Sequence, residues 1–185
     1  MARIIKRPHT ALYPVPAVLV TCVDQAGKPN IITLAWVGTV CSAPPMVGIG
    51  VRPSRYSHGL IRDCGEFVVN LPSAAIAEAV DLCGHVSGRD VDKFQAAGLT
   101  PLPASQVKPP LIAECPVALE CQVRQAIPLG AHTLFLGEIL AVQMDEAVLD
   151  SSGSFDMALA RPFAYVEGEY WTLGERLGTY GFARR

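Results

Sequence analysis

Four basic side chains stand in two short segments, Arg52 and Arg55 in VRPSRYSHG and Arg89 and Lys93 in SGRDVDKF. Guanidinium forks, hydroxyls and the free N–H groups of a helix start are the groups that converge on a phosphate. Arg52, Ser54, Arg55 and Ser57 bring all three together, directly after an apolar run and before a candidate helix start. A solvated turn with an N-cap serine uses the same residues, and no Walker or Rossmann glycine pattern is present to decide between the two. SGRDVDKF also has two readings. As a solvated helix start, Asp90 pairs with Arg89 or Lys93 and Asp92 caps the next turn, each exposed pair contributing under ~1 kcal/mol. As an anion site, it needs Lys93 held toward a second negative group.

A third group, Asn30, Thr33, Trp36 and Thr39, sets polar residues into an apolar strand and the loop after it. A flat, hydrogen-bonding ligand could lie there against backbone N–H and C=O groups; Trp36 equally suits a core position. His58, His85 and His132 have no suggestive partner spacing and read as structural or surface residues. No Ser/His/Asp or Cys/His arrangement can be drawn, and Cys41 lacks a basic neighbour to activate its thiol.

One domain has to position these groups, and 185 residues, 50% hydrophobic and 17% charged, suffice for a sizeable core. A net charge of -2 and a pI near 6.1 give no basic field, which argues against nucleic acid or an acidic membrane as partner. Any anion site must be local. The six cysteines form no Cys-x-x-Cys pair or zinc spacing, and several lie in apolar runs such as VTCV and ALECQV. They are expected to be reduced core thiols of a cytoplasmic protein without a metal site. Basic RIIKRPH before apolar ALYPVPAVLVTCV imitates a signal peptide, but Pro14 and Pro16 break the run and DQAGKPN follows as a polar turn. No uninterrupted apolar run reaches the ~18 residues of a membrane helix.

Residues 17–23 and 31–37, rich in β-branched residues around the DQAGKPN turn, predict a hairpin. A third strand spans Met46 to Val51, where Gly48 and Gly50 leave one face bare, a hint of close backbone or ligand approach. A short helix over residues 56–65 stops at Gly65, and strand EFVVNL follows. Ser73 suits the cap of a helix over AAIAEAVDLCG that Gly84 stops, and SGRDVDKFQAAG makes a short helix or turn closed by Gly98. The prolines from Pro101 to Pro110 mark an extended loop. Val117, Leu119, Cys121 and Val123 alternate with Ala118, Glu120, Gln122 and Arg124, the period-two pattern of a half-buried strand. HTLFLGEILAVQMD continues as a strand bent at Gly137. Strands meeting short helices without βαβ alternation predict a mainly β, antiparallel barrel or sandwich. Residues 151–185, aromatic but without a long aliphatic strand, form an extension expected to dock on their own barrel or on a partner subunit.

In order, PVPAVLVTCVDQAGKPNIITLAWVGTVCSAPPMVGIGVRPSRYSHGLI, EFVVNLP, SGRDVDKFQAAGLT and HTLFLGEI resemble the flavin reductase-like family with the FMN-binding split barrel, most of all its flavoredoxin branch. The resemblance covers about residues 12–150, and EYWTLGERLGTYGF is similar to that branch's C-terminal segment. It implies a Greek-key antiparallel split barrel over residues 1–150 that forms a homodimer, with FMN in a groove near the subunit interface. Asn30, Thr33, Leu34, Ala35 and Trp36 would face the isoalloxazine ring, mainly through backbone groups. Arg52, Ser54, Arg55, Tyr56 and Ser57, with Lys93 and Arg89, would face the ribityl phosphate. Where the family commonly has Thr-x-Ser-Trp-Gly, this chain has Thr33-Leu34-Ala35-Trp36-Val37, without the hydroxyl and with a stiffer backbone at Val37.

The implied activity is that of an FMN-dependent oxidoreductase, either a flavoredoxin-like electron carrier or an NAD(P)H-dependent flavin reductase, with NAD(P)H or a redox protein as electron donor. Two other classes compete with it: a non-enzymatic barrel that holds a ligand or haem, and an interaction scaffold that works through its aromatic tail. Flavin chemistry is the cofactor's own, so it asks for no acid/base set from the protein.

Overall fold

Apolar, β-branched arms flank a turn that closes itself, and the first hairpin follows from this. In the computed structural model, which describes residues 2–183, Val18–Val23 (β2) pairs antiparallel with Pro29–Leu34 (β3), after a two-residue strand at Val15–Pro16 (β1). Asp24 Oδ1 accepts from the N–H groups of Ala26 and Lys28, and Gly27 takes the left-handed conformation at φ 82°. The second arm ends at Leu34 rather than Val37, and a further strand, Val37–Ser42 (β4), stands where a loop was expected. Mostly exposed and half polar, β4 carries no burial pattern that a sequence could show. It pairs with Pro45–Val51 (β5).

Helix Tyr56–Cys64 (α1) stops at Gly65, φ 72°, whose N–H donates to Ile61 O. Glu66–Leu71 (β6) follows; Pro101–Leu102 (β7) and Leu111–Ile112 (β8) pair with each other, and Val117–Pro128 (β9) and Thr133–Met144 (β10) are long strands. The main sheet is antiparallel with the order β3-β2-β6-β9-β10-β5-β4. Its two edge strands are consecutive in the chain and joined by Ala35 and Trp36 alone, so the sheet curls until its ends meet, giving the split barrel. Val20, Ile49, Phe67, Val69, Cys121 and Phe135 fill the interior with Ile61 of α1. At Gly137, where β10 shifts register, a Cβ would lie 2.8 Å from Phe67 Cε1 and 3.2 Å from Cys121 Cβ. Bend and close approach both call for glycine there.

The outer face of β2 and β3 is covered by Ala77–His85 (α2) and Lys93–Ala97 (α3), through Leu19, Ile31, Val80, Cys83 and Phe94. α2 runs through Gly84 instead of stopping at it. Gly84 packs on Thr33, where a Cβ would sit 3.4 Å from Thr33 Cβ, and Thr33 Oγ1 donates to Val80 O. Ser73 precedes a 3-10 turn, Ala74–Ile76, without a side-chain capping bond. Asp92 does cap α3, accepting from the N–H groups of Phe94 (3.0 Å) and Gln95 (3.3 Å), and Gly98 closes it at φ 64°. Cys22, Cys83, Cys115 and Cys121 are buried, and all six thiols are free.

The half-buried pattern expected of residues 117–124 is overturned by a covering loop. Ala118 and Glu120 are buried while Leu119 and Val123 are only partly so. Leu111, Val68 and Ala118 cluster, and Glu120 accepts from Ser105 N–H and Oγ, Gln106 N–H and Gln143 Nε2. Burial raises the Glu120 pKa, yet these donors outweigh it and hold it below the ordinary 4.5. A carboxyl depressed in the folded state contributes stability that is present above the unfolded value and lost as pH falls through the folded one. Glu120→Gln should therefore cost about 1 kcal/mol at neutral pH and flatten the acid side of the stability curve, measured by urea unfolding across an acid pH series; an unaltered acid limb would count against this account.

Beyond β10, Met157–Ala160 (α4) leads into a hairpin of Phe163–Val166 (β11) and Glu169–Thr172 (β12), and β11 pairs with β1. Phe163 joins the outer core, whereas Leu177, Tyr180 and Phe182 are exposed. Among the described residues no helix is long and apolar enough to cross a membrane.

Candidate functional site

Because β3 ends the sheet, one side of its backbone has no strand partner, and N–H and C=O groups on such an edge are free to donate to and accept from a ligand. A cleft of about 680 Å³ borders it, within the size range of small-molecule sites. Asn30, Thr33 and Leu34, with Ala35 and Trp36 of the β3–β4 link, form one wall. Arg52, Ser54, Arg55, Tyr56 and Ser57 enter from the β5–α1 connection, and Arg89 and Lys93 from the chain between α2 and α3. All the residues expected to face the ring or the phosphate thus border one cavity. Thr39 does not; it is exposed on β4.

The floor beside Arg89 is packed and hydrogen-bonded. Asn30 is buried and its Nδ2 donates to the buried Ser57 Oγ at 2.8 Å. Gly88 packs on the Asn30 amide, and Arg89 lies over the Tyr56 ring, 5.1 Å from its centre. Arg89 and Asp90 are not among the ion pairs of the described residues, and Asp90 does not pair with Lys93 either.

Lys93 is 6% exposed, which excludes the solvated-face reading for this residue. Its Nζ donates to Cys83 O at 2.7 Å, a carbonyl in the last turn of α2, and this is its one hydrogen bond to the described residues. An ammonium carries three N–H donors, so two remain for a ligand. Burial pulls the Lys93 pKa below the ordinary lysine value, and Arg55 adds to the effect. Among the described residues none of Arg52, Arg55, Arg89 and Lys93 has a carboxylate within ion-pair distance. Concentrated positive charge without a counter-charge is an arrangement that an incoming anion completes.

Trp36 is 44% exposed, so the core reading fails for it. Its ring meets that of His132 at 4.3 Å, and Arg52 Nε donates to His132 Nε2 at 3.3 Å. Accepting at Nε2 places the His132 proton on Nδ1, and burial followed by the nearby Arg52 lowers its pKa. Spacing gave no sign of His132, 80 residues from Arg52 in the chain; the β5–β10 register, with Thr133 opposite Val51, is what sets the two side by side. Asp81 and His85 of α2 and Tyr165, Gly168 and Tyr170 of the C-terminal hairpin also line the cleft and carried no signal in the sequence. Gly50, marked by its bare strand face, does lie there beside Trp36.

A curled antiparallel sheet whose two edge strands are consecutive in the chain places the protein in the class of split barrels. The chain belongs to the flavin reductase like family, whose domain matches residues 10–174. A protein of Archaeoglobus fulgidus is 40% identical over 139 residues, 75% of this chain and 77% of that one. Flavoredoxin of Desulfovibrio vulgaris (Miyazaki F) has a similar structure, with a TM-score of 0.93, 35% identity and 100% of both chains covered. Flavoredoxin from Methanosarcina acetivorans is similar at a TM-score of 0.88 and 35% identity, over 96% of this chain and 95% of its own.

Proposed function

We propose that the protein is an FMN-dependent oxidoreductase that acts as a homodimer. The observation that carries this reading is the buried Lys93, which with Arg89 of its own segment and Arg52 and Arg55 of a distant one lines a single cleft, none of the four having a carboxylate partner among the described residues. The donor set fits a ring compound with a dianionic phosphate. Arg52, Arg55, Arg89 and the two spare N–H bonds of Lys93 neutralise the phosphate, with Ser54 and Tyr56 beside them. Ser57 is occupied with Asn30 and shapes the floor.

FMN supplies hydride and electron transfer when bound. The protein's part is to orient and tune. Backbone groups along the free edge of β3 and through Ala35 and Trp36 hold the polar rim of the ring and stabilise negative charge that grows on it. The missing hydroxyl at Ala35 leaves this work to the backbone. Val37 does not hinder it, because it already lies in β4, where an extended backbone suits a β-branched residue.

The electron donor is NAD(P)H or a redox protein. Exposed Val40 on β4 and Leu140, Val142 and Met144 on β10 provide apolar surface for a second copy of the chain. Both assignments are open to direct measurement. The purified protein should show flavin absorbance bands, or gain them on titration with FMN, and should elute in gel filtration as a dimer. A flavin that stays bound through the column identifies the electron-carrier form, and NAD(P)H oxidation that saturates with added FMN identifies the reductase. A Soret band, or no flavin affinity at all, overturns the proposal.

A further inference from the structure

We propose that the Tyr170–Asp81 hydrogen bond is a clasp by which the C-terminal hairpin closes the end of the FMN cleft, so that this pair sets how long the ligand stays. The inference rests on the reading of the cleft as an FMN site. Tyr170 Oη donates to Asp81 Oδ1 at 3.1 Å, and this is the one side-chain hydrogen bond among the described residues that ties the β11–β12 hairpin to α2. An open surface depression lies against Ala77, Glu78 and Leu82, and it shares Asp81, His85, Gly168 and Tyr170 with the cleft. These four residues form a wall common to the two, so that opening the clasp would join the cleft to the depression.

Among the described residues the hairpin pairs outside itself with one strand only, β1. Its turn, Glu167 and Gly168, has both residues in the left-handed region, at φ 46° and 96°, which makes a tight two-residue tip. On the far side β11 is tied to β1 by two residue pairs, Val15 with Tyr165 and Pro16 with Ala164, and by Phe163 in the outer core. Tyr165 and Tyr170 meet edge to face at 5.8 Å, so a move of one carries the other, and both border the cleft. Burial followed by Asp81 raises the Tyr170 pKa to about 12, which keeps the hydroxyl protonated and donating at every working pH.

Tyr170→Phe keeps the ring and removes only the donor. Release of FMN, followed by stopped-flow fluorescence after mixing the loaded protein with a flavin trap, should be about tenfold faster than in the unaltered protein, which corresponds to about 1.4 kcal/mol. Asp81→Ala should speed release equally, Asp81→Asn, which keeps an acceptor, should stay close to the unaltered rate, and Tyr170→Phe combined with Asp81→Ala should add nothing to either. Thermal midpoints of the loaded-free proteins separate this from general destabilisation, since Tyr170→Phe should leave the midpoint within about 2 °C. If the unaltered protein fails to bind FMN, the cleft assignment falls; if it binds and Tyr170→Phe releases FMN at the unaltered rate, the clasp alone falls.

Discussion

Lys93→Met should weaken FMN binding by about 10- to 100-fold, because it removes a buried charge-assisted donor, an interaction of roughly 1.5–3 kcal/mol. Methionine retains most of the stem that packs beneath the cleft, so the loss reports the ammonium. Part of the change will also appear as stability, since the Cys83 carbonyl at the end of α2 loses its donor. The pH profile distinguishes the two contributions. In the free protein burial, and then Arg55, depress the Lys93 pKa; a phosphate beside it raises that pKa again. Below the free value Lys93 is charged with or without ligand, and its contribution is constant. Above it, binding must take up a proton, so affinity falls as pH rises. The phosphate itself becomes a monoanion below pH about 6, so affinity should plateau between these limits. Calorimetric titration across a pH series should find the alkaline decline in the unaltered protein and its absence in Lys93→Met. Equal affinity in the two at neutral pH would refute the phosphate assignment.

Gly88→Ala should remove most FMN affinity and cost about 1–3 kcal/mol of stability, the range of an overpacked interior site. A Cβ at residue 88 would overlap the Asn30 amide oxygen, lie 2.7 Å from Asn30 Cγ and 3.1 Å from Tyr56 Cδ1. Asn30 cannot step aside cheaply: it is buried, short and bonded through Nδ2 to Ser57 Oγ. The chain from Ser87 to Asp92 must shift instead, and that chain carries Arg89 and leads into Lys93. Denaturant unfolding and FMN titration measure both effects. Truncating the obstacle in the double variant Asn30→Gly with Gly88→Ala should return part of the stability lost, and a single Gly88→Ala variant with unaltered stability and affinity would show that the packing here is slack.

Some features were legible because they depend on local chemistry. Gly65 and Gly98 ended their helices as expected, since each takes a left-handed conformation that few other residues adopt, and Asp92 capped α3 because its carboxylate reaches N–H groups two and three residues ahead. Where burial was imposed from outside, the local pattern misled. Gly84 looks like a helix stop but is a contact point for Thr33. Glu120 looks like the wet face of a strand until a loop from residues 104–112 covers it and supplies its donors.

The same division runs through the cleft. Its basic and hydroxyl residues could be named from type and spacing, and order along the chain linked them to one family, but neither told whether Lys93 was wet or buried. That was decided when α2 and α3 packed over the outer face of β2 and β3, taking its ammonium out of water while leaving it a single carbonyl. His132, Asp81 and Tyr170 belong to the site only through strand register and the docking of the C-terminal hairpin. Sequence by itself determined the apolar, β-branched strands, most of the turns and the charges available, because these follow from side chains and their near neighbours. Which charges lose their solvent and which distant residues meet was left to the tertiary structure, because desolvation and long-range pairing exist only once the sheet has closed on itself.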